Sequence, residues 1–228
     1  PAILEKPYDL YKQIQKEAPV FKLPGTEIFL VTLHSDVRKI IRDPITYSSD
    51  FGDMINWESG RADVQAVYAT GYEMVETLLT QDPPRHKIYR SLVNKVFSNQ
   101  RIESMRDSIK TITNELIDAW IHDGQVDILN RLCVPLPIYV IADQLGVPRA
   151  ELPLLKKWSD AAASRVGQLA DEEQQLTDAE NIVEFQHYFA HMLDRLRVNP
   201  RDDIISDLAN AKIDEGRYLT KPEALGIL

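Results

Sequence analysis

His86 and Arg90 lie four residues apart behind Asp82-Pro83-Pro84, in a stretch whose apolar positions keep helical spacing. At 100° per residue, Ile88, Leu92, Val96, Tyr89, Val93 and Phe97 fall on one broad apolar arc, and His86 and Arg90 project side by side at its edge. A cationic pair bordering an apolar face suits a ligand with an apolar body and anionic tips. The same spacing also describes an arginine that packs its stem and leaves its guanidinium in water. The local charge is unusual as well. From residue 83 to 102 there is no acid, while Arg85, Lys87, Arg90, Lys95 and Arg101 give +5 in a chain of net charge −9. Such an island is either a solvated face or a docking patch for an acidic partner.

Other candidate chemistry is thinner. Glu184-x-x-His187 with His191 one turn on has metal-ligand spacing, but a carboxylate-bridged di-iron bundle needs a second Glu-x-x-His, which the chain lacks. The single cysteine, Cys133, rules out an intrachain disulfide and any multi-cysteine zinc or iron–sulfur site. It sits in an apolar stretch, Leu132 to Leu136, where a small buried thiol is the expectation. No Ser-His-Asp or Cys-His arrangement is apparent, and no glycine-rich phosphate loop. The 228 residues are 44% hydrophobic and 27% charged, as in ordinary globular chains, with room for one large or two small domains. Net acidity disfavours wholesale nucleic-acid binding. The longest uncharged run, residues 132–142, is too short for a membrane span, which takes about 20 apolar residues. No signal-peptide pattern opens the chain, and a reducing cytoplasmic setting is expected.

The elements that must position these residues are mostly helical. Residues 8–17 read as a short helix. Residues 28–33 read as a strand paired with Val20-Phe21, a β hairpin near 20–33. Ser35 and Asp36 can cap a helix running to Ile41. Residues 47–80 are weakly patterned and read as a long functional loop. From 82 to 228 the pattern is helical. A helix capped by Asp82 runs to Phe97, and a second spans 102–122, ended by Gly124. The segment 129–145 is apolar nearly all round and reads as a central buried helix despite Pro135 and Pro137. A helix pair covers 150–169 and 178–198, joined by the acidic stretch Asp171-Glu172-Glu173. A short helix over 203–211 and a turn at Asp214-Glu215-Gly216 precede a helix opening at Thr220. Its apolar run reaches Leu228 mid-turn, so further chain is expected beyond.

Three segments carry a family resemblance. Asp82-Pro83-Pro84-Arg85-His86-Lys87-Ile88-Tyr89-Arg90, followed by Leu92-Val93 and Val96-Phe97-Ser98, closely resembles a segment of soluble bacterial cytochrome P450 enzymes. So does the run from Asp202 to Leu208 with Glu215 to Thr220, and, in order between them, Ile141-Ala142-Asp143-Gln144-Leu145-Gly146-Val147-Pro148. The resemblance implies a mainly α fold with a small β region, residues 1–228 being the N-terminal portion of a single P450 domain. It implies a haem-dependent monooxygenase that inserts one oxygen atom from O2 into a small apolar substrate, fed by a ferredoxin-type electron donor. The cofactor would be haem (iron protoporphyrin IX), with His86 and Arg90 on a propionate and Lys87 and Arg90 on the redox-partner face. Residues 51–79 and the pair over 150–198 would enclose substrate, with Met74, Val75, Leu78 and Leu79 as contacts. The family's thiolate cysteine, its Glu-x-x-Arg pair and its acid–alcohol pair belong to the C-terminal half, so no catalytic residue or iron ligand is expected here, and Cys133 has no matching context. Terpenoid, steroid, fatty acid and aromatic substrates all remain open. The alternative is a non-enzymatic helical ligand-binding or interaction module.

Overall fold

The computed structural model describes residues 6–50, 60–167 and 170–228. They divide into two units, residues 1–50 and 51–228.

In the first unit, helix α1 (Tyr8–Glu17) leads into an antiparallel hairpin, β1 (Val20–Lys22) with β2 (Phe29–Val31), in the register Val20↔Val31, Phe21↔Leu30, Lys22↔Phe29. The turn passes through Gly25 at φ +75°, a left-handed conformation that glycine adopts without a Cβ penalty. The Gln15 side chain donates to the Thr32 carbonyl at 2.9 Å, tying α1 to the strand. Helix α2 (His34–Ile40) starts on Leu33 with no side-chain cap, so neither Ser35 nor Asp36 caps it. Both lie inside its first turn.

The second unit is built around one long helix. Helix α3 (Ala62–Tyr68) falls within the stretch expected to be a loop, of which residues 51–59 lie outside the described residues. Seven residues are too few to show a period. α3 instead takes its stability from burying Val64 against the long helix, while Arg61 donates to the Glu172 carbonyl. Helix α4 (Arg85–Val96) has Pro84, not Asp82, at its N-cap; the Asp82 carbonyl accepts from His86 N–H at 3.0 Å. Helix α5 (Asn99–Asp118) starts earlier than its apolar pattern because the Ser98 hydroxyl accepts from Arg101 N–H, and it ends at Asp118, short of His122.

The segment 129–145 departs furthest from expectation. Residues Leu129–Cys133 form a π-helical turn, then α6 (Pro135–Leu145) starts with proline in its first turn, where the missing N–H costs no intrahelical bond. It is not a buried helix. Only Ala142 and Leu145 are buried, while Leu129 is 59% exposed and Ile128, Ile141 and the Cys133 thiol also face solvent. Apolarity all round marks a helix with more than one apolar neighbour. The segment packs against α5 and against the helices at residues 152–167 and 204–209, and the Leu129 end stays exposed.

Helices α7 (Leu152–Gly167) and α8 (Glu172–Val198) pack along one another. The acidic stretch does not join them: Asp171 caps α8 by accepting from Gln174 N–H at 2.9 Å, and Glu172 and Glu173 occupy its first turn. Carboxylates there satisfy free N–H groups and oppose the positive end of the helix dipole. Helix α9 (Ile204–Ala209) is capped by Asp203, and the hairpin β3 (Lys212–Ile213) with β4 (Arg217–Tyr218) leads into α10 (Lys221–Ile227). Phe189, Leu193, Ile205, Leu208, Ala142 and Tyr89 lie at the centre of the core.

Candidate functional site

Helix α4 is held by a carboxylate reached from four directions. Tyr89, 1% exposed, donates its hydroxyl to Glu223 at 2.9 Å, and Arg85 donates to both Tyr89 (2.7 Å) and Glu223 (3.2 Å). Arg217 meets the same carboxylate through two bonds of 2.8 Å. Thr220 N–H donates at 2.9 Å, completing a capping box at the start of α10. The Arg217 guanidinium, ahead of the other donors, holds the Glu223 carboxyl down at about 2 despite its burial. In the sequence Arg85 reads only as part of the basic island and Tyr89 only as part of the apolar arc, and neither points to Arg217 or Glu223. The available signal was Thr220-x-x-Glu223, read only as a helix start.

This anchorage fixes the rotation of α4. Tyr89 and Leu92 point into the core; His86 is half-buried, and Arg90 and Lys87 are exposed. Among the described residues His86, Lys87, Arg90 and Lys95 have no side-chain hydrogen bond or ion pair, whereas Arg85 is committed to Glu223 and Arg101 pairs with Asp207 at 2.8 Å. The basic island thus divides. Arg85 and Arg101 are internal struts, and the other cations face outward. Phe97, at the end of α4, is 41% exposed.

The segment before α4 is pinned at both ends. Tyr72 exchanges two hydrogen bonds with the Gln186 side chain on α8, at 2.8 and 3.1 Å. Thr77 donates to the Gly226 carbonyl, and a Cβ at Gly226 would come within 2.5 Å of the Val75 carbonyl. Residues 75–77 therefore lie directly on α10, and only glycine permits that approach. Of the four expected substrate contacts, Leu78 packs against the core, Val75 is half-buried, and Met74 (42%) and Leu79 (61%) leave apolar surface exposed.

The metal spacing on α8 brings no ligands together. Glu184 accepts from Trp158 Nε1 at 2.8 Å and pairs with Lys157, and His187 Nε2 lies 2.9 Å from the Thr70 carbonyl. Among the described residues no cluster of three His, Cys, Asp or Glu side chains could hold a metal ion. No described helix is long and apolar enough to cross a membrane.

Comparison with known proteins decides the family. The chain is 30% identical, over 97% of its length, to the cytochrome P450 monooxygenase PikC of Streptomyces venezuelae. It is 32% identical, over 95% of its length, to the mycinamicin IV hydroxylase/epoxidase of Micromonospora griseorubida. The chain belongs to the cytochrome P450 family. No protein-family model matches it. The crystal structure of CYP109E1 from Bacillus megaterium in complex with corticosterone superposes with TM-score 0.73 at 30% identity, covering 97% of this chain and 53% of that one. The fold is thus that of a cytochrome P450, in part: the chain spans about half the length of the curated relatives it matches, 50% of PikC and 52% of the mycinamicin enzyme. Haem is the cofactor of the P450 family. An imidazole and a guanidinium one helical turn apart beside apolar surface, without an anionic partner among the described residues, have the donor chemistry that a haem carboxylate tip requires.

Proposed function

We propose that this chain is the N-terminal portion of one P450 domain in a haem-thiolate monooxygenase, with His86 and Arg90 on a haem propionate. The observation that carries the reading is the contrast along α4: Arg85 is locked into Glu223, while His86 and Arg90 are left without an anionic partner among the described residues. When bound, haem supplies dioxygen activation, which in this family needs a cysteine thiolate on the iron. The chain's own part is to seat and orient it. α4 is braced by the Glu223 network, which presents His86 and Arg90 at fixed positions. Residues 72–79, pinned to α8 and α10, offer Met74, Val75 and Leu79 to an apolar substrate, with Leu78 packing behind them. That CYP109E1 holds corticosterone supports a small, largely apolar organic substrate.

The proposal is tested by haem retention in the full-length protein. Arg90→Ala is expected to lower haem occupancy, losing a charge-assisted bond of about 1.5–3 kcal/mol, while Lys95→Ala leaves it unchanged. Equal retention in the two variants contradicts the assignment.

Electron delivery is proposed from a ferredoxin-type donor in the cytoplasm, docking on the face that carries Lys87 and Arg90. An acidic donor attracted by these exposed cations is screened as the Debye length falls from about 10 Å at 0.1 M salt to about 3 Å at 1 M. Ferredoxin-supported turnover should therefore fall with ionic strength, and Lys87→Glu should slow association more than it lowers the maximal rate. A salt-independent rate with Lys87→Glu equal to the parent places docking elsewhere.

A further inference from the structure

A cavity of about 350 Å³ shares no residue with α4. Glu151, Tyr188, His191, Met192, Arg195 and Arg201 line it, with Leu196 beside Met192. On α8, Tyr188 lies three and four residues before His191 and Met192, and these lie four and three before Arg195, so a single helix face supplies a phenol, an imidazole, a thioether and a guanidinium.

The charges in the cavity are not equivalent. Glu151 is engaged by the Tyr188 hydroxyl. Burial, and then the Glu151 carboxylate itself, push the Tyr188 phenol well above its ordinary range, so it remains a donor to that carboxylate. Arg201 is held in place by Asp203, the cap of α9, at 2.9 Å, and by its own N–H, which donates to the Ser206 hydroxyl at 2.7 Å. This pair lies so close to Gly146 that a Cβ there would sit 2.7 Å from Asp203 and 2.9 Å from Arg201. Gly146, at φ +66°, therefore both ends α6 and makes room for the arginine. Arg195 differs from both. Among the described residues its guanidinium has no hydrogen-bond or ion-pair partner, and it faces the same cavity as the fixed Arg201. Met192 and Leu196, both buried, give the cavity an apolar wall.

We propose that this cavity binds a small organic carboxylate. Its anionic head lies between Arg195 and Arg201, with His191 alongside, and its apolar body lies against Met192 and Leu196. The volume falls within the range of small-molecule sites, roughly 300–1,000 Å³, and a planar guanidinium offers the paired donors a carboxylate takes. A bare phosphate would leave the apolar wall unused.

The test is a titration of the full-length haem protein with benzoate, and separately with inorganic phosphate. It is followed by NMR at the His191 imidazole, so that occupancy of the haem pocket is not counted. Saturable benzoate binding is expected, weakened at least tenfold in Arg195→Ala and unchanged in Lys95→Ala, with phosphate at least tenfold weaker than benzoate. Arg195 is exposed and unpaired among the described residues, so its removal leaves the fold intact. Tyr188→Phe, which keeps the ring, is expected to retain binding. Failure of benzoate to perturb His191, or equal binding by Arg195→Ala and the parent, overturns the proposal. Phosphate binding as tightly as benzoate overturns the assignment to an organic carboxylate.

Discussion

Replacing Phe189 by alanine is expected to cost the full-length protein about 3–5 kcal/mol of stability. Phe189 is 0% exposed on the inward face of α8, and three aromatic rings close around it: Phe185 at 4.8 Å, Tyr188 at 5.1 Å and Trp158 at 5.9 Å between centroids. Trp158 cannot follow into the space, because its backbone is part of α7 and its indole N–H is held by Glu184. The cavity would persist, which places the cost in the upper part of the range for large-to-small changes. Phe97→Ala, at an exposed position, should cost under about 1 kcal/mol. Denaturant midpoints at neutral pH compare the two. Equal costs, or a Phe189→Ala loss under about 1 kcal/mol, contradict the placement of α8 at the centre of the unit.

The second large effect concerns acid. The Glu223 carboxyl is held at about 2 in the folded chain against an ordinary 4.5, chiefly by Arg217. Above the ordinary value both folded and unfolded chains carry the charge, and the network contributes its full stability. Between that value and about 2 the unfolded chain takes up the proton first, so stability is lost as pH falls through this window. A shift of this size corresponds to roughly 3 kcal/mol, on a carboxylate only 7% exposed. Glu223→Gln should therefore be less stable at neutral pH, with a flatter dependence on pH across the window. Stability curves for parent and variant that stay parallel from neutral pH down to 2 would show that Glu223 does not carry the acid sensitivity. The same variant frees Arg85 and Tyr89, so a loosened α4 should also retain haem less well.

How much of this was legible depended on whether the signal was local. The hairpin at 20–33, α1, and the start of α10 at Thr220 are set by residues within a few positions of each other, and each formed as read. The helical period over 82–98 put His86 and Arg90 on one helix, and both lie on α4; their role at a propionate rests on the resemblance and remains a proposal. What failed was long-range. Helix α3 exists because α8 offers it a surface more than a hundred residues away. Asp171-Glu172-Glu173 looked like a linker because acids are common in linkers, but they are equally suited to a helix start, and Asp171 caps one. Apolar composition over 129–145 indicated a buried helix, and although α5, α7 and α9 pack on it, Leu129 and Ile141 stay exposed. The Glu223 network joins positions 85, 89, 217 and 223, and no spacing rule connects residues so far apart.

The chain is proposed to seat haem, with the iron's cysteine thiolate supplied from outside residues 1–228. Cys133 is exposed on a π-helical turn, with no His, Asp or Glu cluster around it among the described residues. The decisive measurement is the reduced carbon-monoxide difference spectrum of the full-length protein, of its Cys133→Ser variant, and of residues 1–228 expressed alone with haem added. The thiolate-ligated spectrum is expected in the first two at equal intensity and not in the third. A thiolate spectrum from residues 1–228 that disappears in Cys133→Ser, or its absence from the full-length protein, would contradict this proposal.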